Sequence, residues 1–257
     1  MPWLPFFIYR SYIYDVVIIS TGSKSLDNLI GGGIMTGLIT DIFGDTKYAR
    51  NAIAFSISIN FAKLSNDSLV VFIDSQGSFR PEIAINQLRS ARDSVEILRK
   101  IVTLRIFSSR FLRSALKNSM LLRPRLIVID NFVSLFSSEH SPIAKHLSIM
   151  YHLRELARIA INTDVAILLT NPAVSRKAKN YRTDDQNLEQ VVSPSRYPSH
   201  EEEVFGRSLS IYTDIVMKLE RIKINDSLYL AQLIKPTSDR LSHLRLTEDF
   251  PSEYEQK

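Results

Sequence analysis

The sequence predicts an α/β fold with a mostly parallel central sheet flanked by helices and a C-terminal antiparallel hairpin. Three observations carry this. From Ser20 onward, short β-branched runs alternate with longer segments of helical period. Four of the runs end in a small or polar residue, as strands do where an open sheet receives its ligand. Residues 215 to 234 read as two strands around the turn Asn225-Asp226-Ser227. The 257 residues suffice for one such domain with a sizeable core. With 45% apolar and 23% charged residues, 8 Gly and 10 Pro, the chain reads as globular rather than disordered.

Taken in order, the opening run Trp3-Leu4-Pro5-Phe6-Phe7-Ile8-Tyr9 is apolar but meets Arg10 and Asp15 well short of a membrane span, and it lacks the basic leader and cleavage site of a secretory signal. Two readings stand for it: an edge strand packed on the domain, or an aromatic tether that inserts into a neighbouring subunit. The division drawn is a tether over 1–18, a core over 19–246 and a polar tail over 247–257 that is expected to fray. The four central strands are Leu38 to Phe43, Leu69 to Asp74, Leu126 to Asp130 and Val165 to Thr170. Their ends, Gly44, Asp74, Asp130 and Asn171, should converge on one crevice. Ile149, Leu153, Leu156 and Ala160 recur at helical spacing, with Arg154, Glu155 and Arg158 between them, and predict an amphipathic helix crossing the sheet. His146 and His152 are expected on it as surface or boundary residues. Ser175 to Glu203 has no periodicity, and so long an irregular insertion is usually functional.

Composition narrows the chemistry. Zero cysteines exclude a disulfide framework, a thiol nucleophile and thiolate zinc sites, and favour an intracellular home. The excess of 32 Lys and Arg over 27 Asp and Glu, +5, slightly favours anionic partners without showing where the charge sits. His140, His146, His152, His200 and His243 have no ligand spacing, so no metal is expected. No G-x-S-x-G elbow occurs. Asp74 and Asp130 could be imagined as a carboxylate pair for acid–base work, but strand ends explain their positions better.

One motif is present in outline. Leu38 to Gly44 followed by Asp45-Thr46-Lys47-Tyr48-Ala49-Arg50-Asn51 has the strand, loop and helix layout of a phosphate-binding loop, in register with G-x-x-x-x-G-K-S/T. Only Gly44 survives of the marker residues. Ala49 stands at the second glycine, Arg50 at the lysine and Asn51 at the hydroxyl position. Glycines let consecutive backbone N–H groups point at phosphates, and Ala or Tyr resists positive φ. A planar guanidinium is not equivalent to a lysine between phosphates, and Asn51 offers magnesium only a neutral amide oxygen.

The chain here resembles the RecA-like strand-exchange recombinases, most closely the archaeal RadA group and its paralogs. Ile19-Ser20-Thr21-Gly22-Ser23-Lys24-Ser25-Leu26-Asp27 and Gly31-Gly32-Gly33-Ile34 look like that family's signature before its phosphate loop. The likeness continues at Phe72 to Glu82, at Leu126 to Asp130 and at Leu168-Leu169-Thr170-Asn171, and spans about Ile19 to Ile234. With about twenty residues before the match, the family's helical amino-terminal domain is expected to be missing. The resemblance implies a RecA-like P-loop NTPase core and MgATP chemistry, but several positions depart. Gln76 stands at the glutamate that activates water, and an amide cannot accept that proton. Pro172 replaces a glutamine that senses the γ-phosphate, and Ile83 an arginine that lies over the adenine. Asp130, at a magnesium-associated position, is retained.

The resemblance further implies two DNA-facing loops. The first, Leu135 to His146, is short, with Lys145 as its basic residue, and reads as lost. The second, Ser175 to Glu203, carries Arg176, Lys177, Lys179 and Arg182 with Tyr181 among them, suited to phosphate contact and base stacking. Its other reading is a solvated loop whose Glu201-Glu202-Glu203 end repels a backbone. The expectation is a non-catalytic RadA-like paralog, a pseudo-ATPase without catalytic residues, acting in homologous recombination and DNA repair. Its nucleotide-site remnant is Gly44, Ala49, Arg50, Asn51 and Asp130. No cofactor is expected; ATP with magnesium is the one the resemblance would supply, and the altered contacts count against it. Partners would be a recombinase or another paralog, in a homo- or hetero-oligomer, and single-stranded DNA, with no membrane and a cytoplasmic, nucleoid-associated location. The competing expectation is a weak ATPase in which Arg50, Asn51 and Asp130 hold MgATP and a partner subunit supplies the base.

Overall fold

A computed structural model describes residues 16–64, 67, 69–82, 91–175, 201–223, 228–237, 240–247 and 250–253. A short pair opens the chain, β1 (Ile18–Ile19) and β2 (Ile34–Met35), antiparallel around helix α1 (Lys24–Ile30). The signature segment is a hydrogen-bonded knot. Ser23 caps α1, while Asp27 accepts from Ser20 Oγ (2.6 Å), Thr21 N (2.7 Å) and Thr21 Oγ1 (2.8 Å). Gly31 ends the helix in the left-handed region, φ 88°, which a side chain would resist. Because β1 begins at Ile18, it straddles the boundary drawn between tether and core.

The main sheet has the order β12-β11-β10-β9-β3-β7-β6-β4-β5. Its parallel part comprises β3 (Ile39–Gly44), β4 (Val70–Asp74), β5 (Ile101–Arg105), β6 (Leu126–Asp130), β7 (Ala166–Ser175) and β9 (Ile215–Lys223). Every residue of β3, β4 and β6 is buried, as expected of strands covered on both faces. One face packs against α2 (Lys47–Leu64), through Ile53, Phe55 and Ile57. There Phe55, Phe72 and Phe79 form a ring cluster with centroids 5.1 to 5.3 Å apart. The other face packs against α4 (Ser109–Met120) and α5 (Pro142–Thr163), through Leu112, Leu116, Ile149, Leu153 and Leu156. Helix α5 starts as its sequence demands: Ser141 accepts from Ala144 N (3.1 Å), and Pro142 sits in the first turn. Helix α3 (Ala91–Arg99) lies between β4 and β5, and α6 (Gly206–Tyr212) precedes β9.

The predicted hairpin is β9 with β10 (Leu228–Lys235), antiparallel as expected. It continues into β11 (Leu241–Thr247) and β12 (Phe250–Glu253). The start of the tail expected to fray is therefore a strand, paired from Leu244↔Glu253 to Thr247↔Phe250. One further expectation is corrected. Strand β7 does not stop at Thr170 but runs through Asn171 and Pro172 to Ser175, pairing with β8 (Glu201–Glu203). Of the surface and boundary readings of His152, the structure favours the boundary: it is 8% exposed on α5 with its ring edge-on to Phe136 at 5.3 Å, and Nδ1 meets Ser148 O at 2.8 Å. The segment read as a lost first loop, Leu135 to His146, takes in the end of a 3-10 turn (Phe132–Phe136), an irregular stretch over 137–141 and the start of α5. Among the described residues, no helix is long and apolar enough to cross a membrane.

Candidate functional site

The four strand ends do lie side by side. Phe43 pairs with Asn171, Gly44 with Pro172, and Asp74 with Asp130, so Gly44, Asn171, Asp130 and Asp74 share one edge of the sheet. Asp130 is buried and both its oxygens are taken: Oδ1 accepts from Thr170 Oγ1 at 2.7 Å and Oδ2 from Ser78 Oγ. Asp74 organises the loop after β4. Its oxygens accept from the backbone N–H of Gln76 (3.1 Å), Ser78 (2.9 Å) and Phe79 (3.0 Å), with the Arg105 guanidinium at 3.7 Å. Burial alone would raise this carboxyl; the three N–H donors and Arg105 overcome it and hold Asp74 below the usual carboxylate range. Gln76 itself is exposed at the rim.

The segment after β3 differs from a long phosphate-cradling loop. Helix α2 begins at Lys47, so only Asp45 and Thr46 separate it from Gly44. Ala49 and Arg50 are therefore helical, and Arg50 N already donates to Thr46 O. The Arg50 side chain, 3% exposed, folds back and donates from Nη1 to the Gly44 carbonyl. Burial pulls its pKa down, while the charges of Asp130, Asp45 and Asp41 oppose that. Gly44 has a structural reason of its own: a Cβ there would stand 2.4 Å from the Leu219 carbonyl oxygen of β9. Asn51 Oδ1 is buried with no hydrogen-bond partner among the described residues.

Sequence reasoning missed a second polar cluster beneath this one. Asn171 Nδ2 donates to Asp41 Oδ1 at 3.0 Å and to Glu203 Oε1 at 3.3 Å, while its Oδ1 accepts from Val133 N at 3.0 Å. Asp41 Oδ2 is buried with no N–H aimed at it. The neighbouring Glu203 carboxyl is the group that faces it. Burial and the neighbouring Asp41 charge push the Glu203 carboxyl up to about 12, against the opposing pull of Asn171. Asp41 is likewise raised, burial being the largest cause, so the pair keeps one shared proton at neutral pH. The acidic triplet was read as a solvated loop end; Glu203 instead turns inward. Beside the cluster a cleft of about 760 Å³ opens between β3, α6 and the hairpin, lined by Phe43, Glu203, Arg207, Lys218 and Lys235. Of the expected DNA contacts, Arg176, Lys177, Lys179, Tyr181 and Arg182 lie outside the described residues, as do Ile83 and Trp3 to Tyr14. The two ends of their insertion are placed, by the pairs Ala173↔Glu203 and Ser175↔Glu201. Among the described residues, no group of three or more His, Asp or Glu stands ready to hold a metal.

A parallel sheet sandwiched between helices, with a strand–turn–helix unit and two aspartates at its carboxyl edge, is the core of the RecA-like class. The family model described as Rad51 matches residues 13–191, and the chain belongs to that family. It is 31% identical over 173 residues to the DNA repair protein Rad51 homolog of Drosophila melanogaster, covering 61% of this chain and 51% of that protein. It is 27% identical over 176 residues to the DNA repair protein RAD51 of Saccharomyces cerevisiae, covering 63% of this chain and 44% of that protein. The chain thus spans about half the length of the curated relatives it matches.

Proposed function

We propose that this chain acts in homologous recombination and DNA repair as a non-hydrolysing accessory factor, working through protein partners and single-stranded DNA rather than ATP turnover. The relatives named as DNA repair proteins support the setting. The observation that carries the non-catalytic part is Arg50. Its guanidinium is buried, donates from Nη1 back to the Gly44 carbonyl and faces the charges of Asp130, Asp45 and Asp41, with Nε left without a partner among the described residues, so the cation is turned toward its own scaffold. Asp130 is saturated by Ser78 and Thr170, and Gln76 has no basic atom for activating water. On this reading the residues present suit MgATP poorly. Docking onto a recombinase or another paralog, head to tail as in the resembled family, is the proposed mode of action.

The test is equilibrium titration of the full chain with a fluorescent ATP analogue and magnesium, beside a phosphate-release assay, with and without a recombinase partner. The expected result is no saturable binding and no release above the partner's own rate. Micromolar affinity with turnover by the chain alone would overturn the proposal, and turnover that appears only in the mixed complex would establish the partner-completed ATPase instead.

A further inference from the structure

The positive charge of this chain is concentrated in one stretch. Residues 99–125 carry Arg99, Lys100, Arg105, Arg110, Arg113, Lys117, Arg123 and Arg125 and no Asp or Glu. The rest of the chain holds 24 Lys and Arg against 27 Asp and Glu, so the whole basic excess resides here. The fold spreads this stretch along the outer edge of the sheet. Strand β5 is the terminal strand next to β4, and α4 follows it on the face opposite α2.

Helical geometry then sorts the side chains of α4. Leu112, Ala115, Leu116 and Ser119 are buried, which turns Arg110, Arg113 and Lys117 outward within one sector of the opposite face. Those three cations span about 10 Å along the axis at 1.5 Å per residue. Among the described residues none of the three has an ion pair. Arg110 instead stacks over the Phe111 ring at 5.5 Å. Lys100 and Arg125 are occupied elsewhere, the first on Ala62 O (3.2 Å) and the second on Asp164 (3.3 Å), so neither belongs to the surface. The acid that touches this helix, Glu139, accepts from Ser109 Oγ (2.9 Å) on its buried side.

On and just before the same helix stand two large apolar rings that are more than half exposed. Phe107 is 63% exposed and Phe111 54% exposed. Burying one such ring is worth about 1.5–3 kcal/mol, which a partner that covers both would gain. Cations alone would suit any polyanion. Unpaired cations on one flank of the exposed side, with Phe111 on the other flank and Phe107 at its start, match one chemistry better than an acidic peptide: a single strand, whose phosphates meet the cations and whose bases stack on the rings.

We propose that the Phe107–Lys117 face of α4 is a binding surface for single-stranded nucleic acid, separate from the insertion at 176–200. It stands apart from the reading of the phosphate-loop remnant, since a chain that held ATP could carry the same surface.

The test is fluorescence anisotropy of a labelled oligothymidylate with the full chain across a salt series. Three variants are compared: Arg110→Ala with Arg113→Ala and Lys117→Ala; Phe107→Ala with Phe111→Ala; and the four insertion cations Arg176, Lys177, Lys179 and Arg182 changed to alanine. The altered α4 side chains are exposed, so folding should survive, and a thermal melt checks it. The triple variant should bind about tenfold or more weakly, with the slope of log affinity against log salt reduced by about 2. Each lost ring should cost about fivefold or more at any salt concentration. An insertion variant that keeps part of the affinity, while the α4 triple variant loses it, separates this surface from the loop. Absence of oligonucleotide binding by the unaltered chain, an unchanged affinity and slope in the triple variant, or capture of polyglutamate in preference to the oligonucleotide would each overturn the proposal.

Discussion

Replacing Glu203 by glutamine should stabilise the protein at neutral pH, and the amount follows from its place beside Asp41. In the unfolded chain this carboxyl titrates near 4.5; in the fold, burial and the Asp41 charge push it up to about 12. A group whose pKa is raised by folding contributes its full stability below the unfolded value and loses it as pH rises toward the folded one. Between those limits, folding has to take up a proton, at about 1.36 kcal/mol per pH unit. At pH 7 the gap from 4.5 is 2.5 units, which sets an upper bound of about 3 kcal/mol on the loss. Glutamine keeps the oxygen that accepts from Asn171 and offers an N–H to Asp41, without a proton to release. Urea unfolding between pH 4.5 and 9 measures the difference. The substituted chain should match the original near pH 4.5, exceed it at pH 7, and show a pH slope smaller by about one proton. Equal slopes, or a less stable variant at pH 8, would refute the shared-proton reading.

Arg50 and Gly44 give two further tests. Arg50→Ala removes a buried cation facing three carboxylates and should cost about 3 kcal/mol by urea unfolding, while Arg50→Lys, which loses the planar fork, should still cost about 1 kcal/mol and confer no binding of the fluorescent ATP analogue. A lysine variant that is neutral in stability and gains nucleotide affinity would show that Arg50 belongs to a working phosphate site. Gly44→Ala pushes a methyl group into the Leu219 carbonyl and should destabilise by about 1–3 kcal/mol without nucleotide present; an unchanged melting temperature would contradict the close approach of β9.

The elements that were legible are those whose signal is local. Strands β3, β4, β6 and β7 are continuous β-branched runs because helices cover both their faces, and α5 announces itself by its period and its Ser141-Pro142 start. Strand β5 was not singled out, and β11 and β12 were missed. They lie toward the sheet's two edges, where exposed polar residues such as Arg105 and His243 dilute the pattern. The site was readable as a register, Gly44 through Asn51, but not as an environment. Nothing near Gly44 in the sequence reveals that Leu219 passes against it. Nothing near Glu203 reveals that its carboxyl reaches Asp41 and Asn171 rather than water. The choice between surface and boundary for His152 was open for the same reason: Phe136, which its ring meets edge-on, arrives from the 3-10 turn. The charged face of α4 was hidden inside a whole-chain net charge of +5, which averages a basic edge with an acidic remainder.

The ladder joining β7 to β8 brings Ser175 opposite Glu201, so the chain departs the core and re-enters it at neighbouring points. A detour fastened at its neck is thermodynamically cheap to lengthen or trim, because doubling its span adds only about 0.6 kcal/mol of closure entropy. Its composition can therefore be rewritten, by natural variation or by an engineer grafting a recognition peptide, while the buried acid pair at its root keeps the surrounding architecture in place.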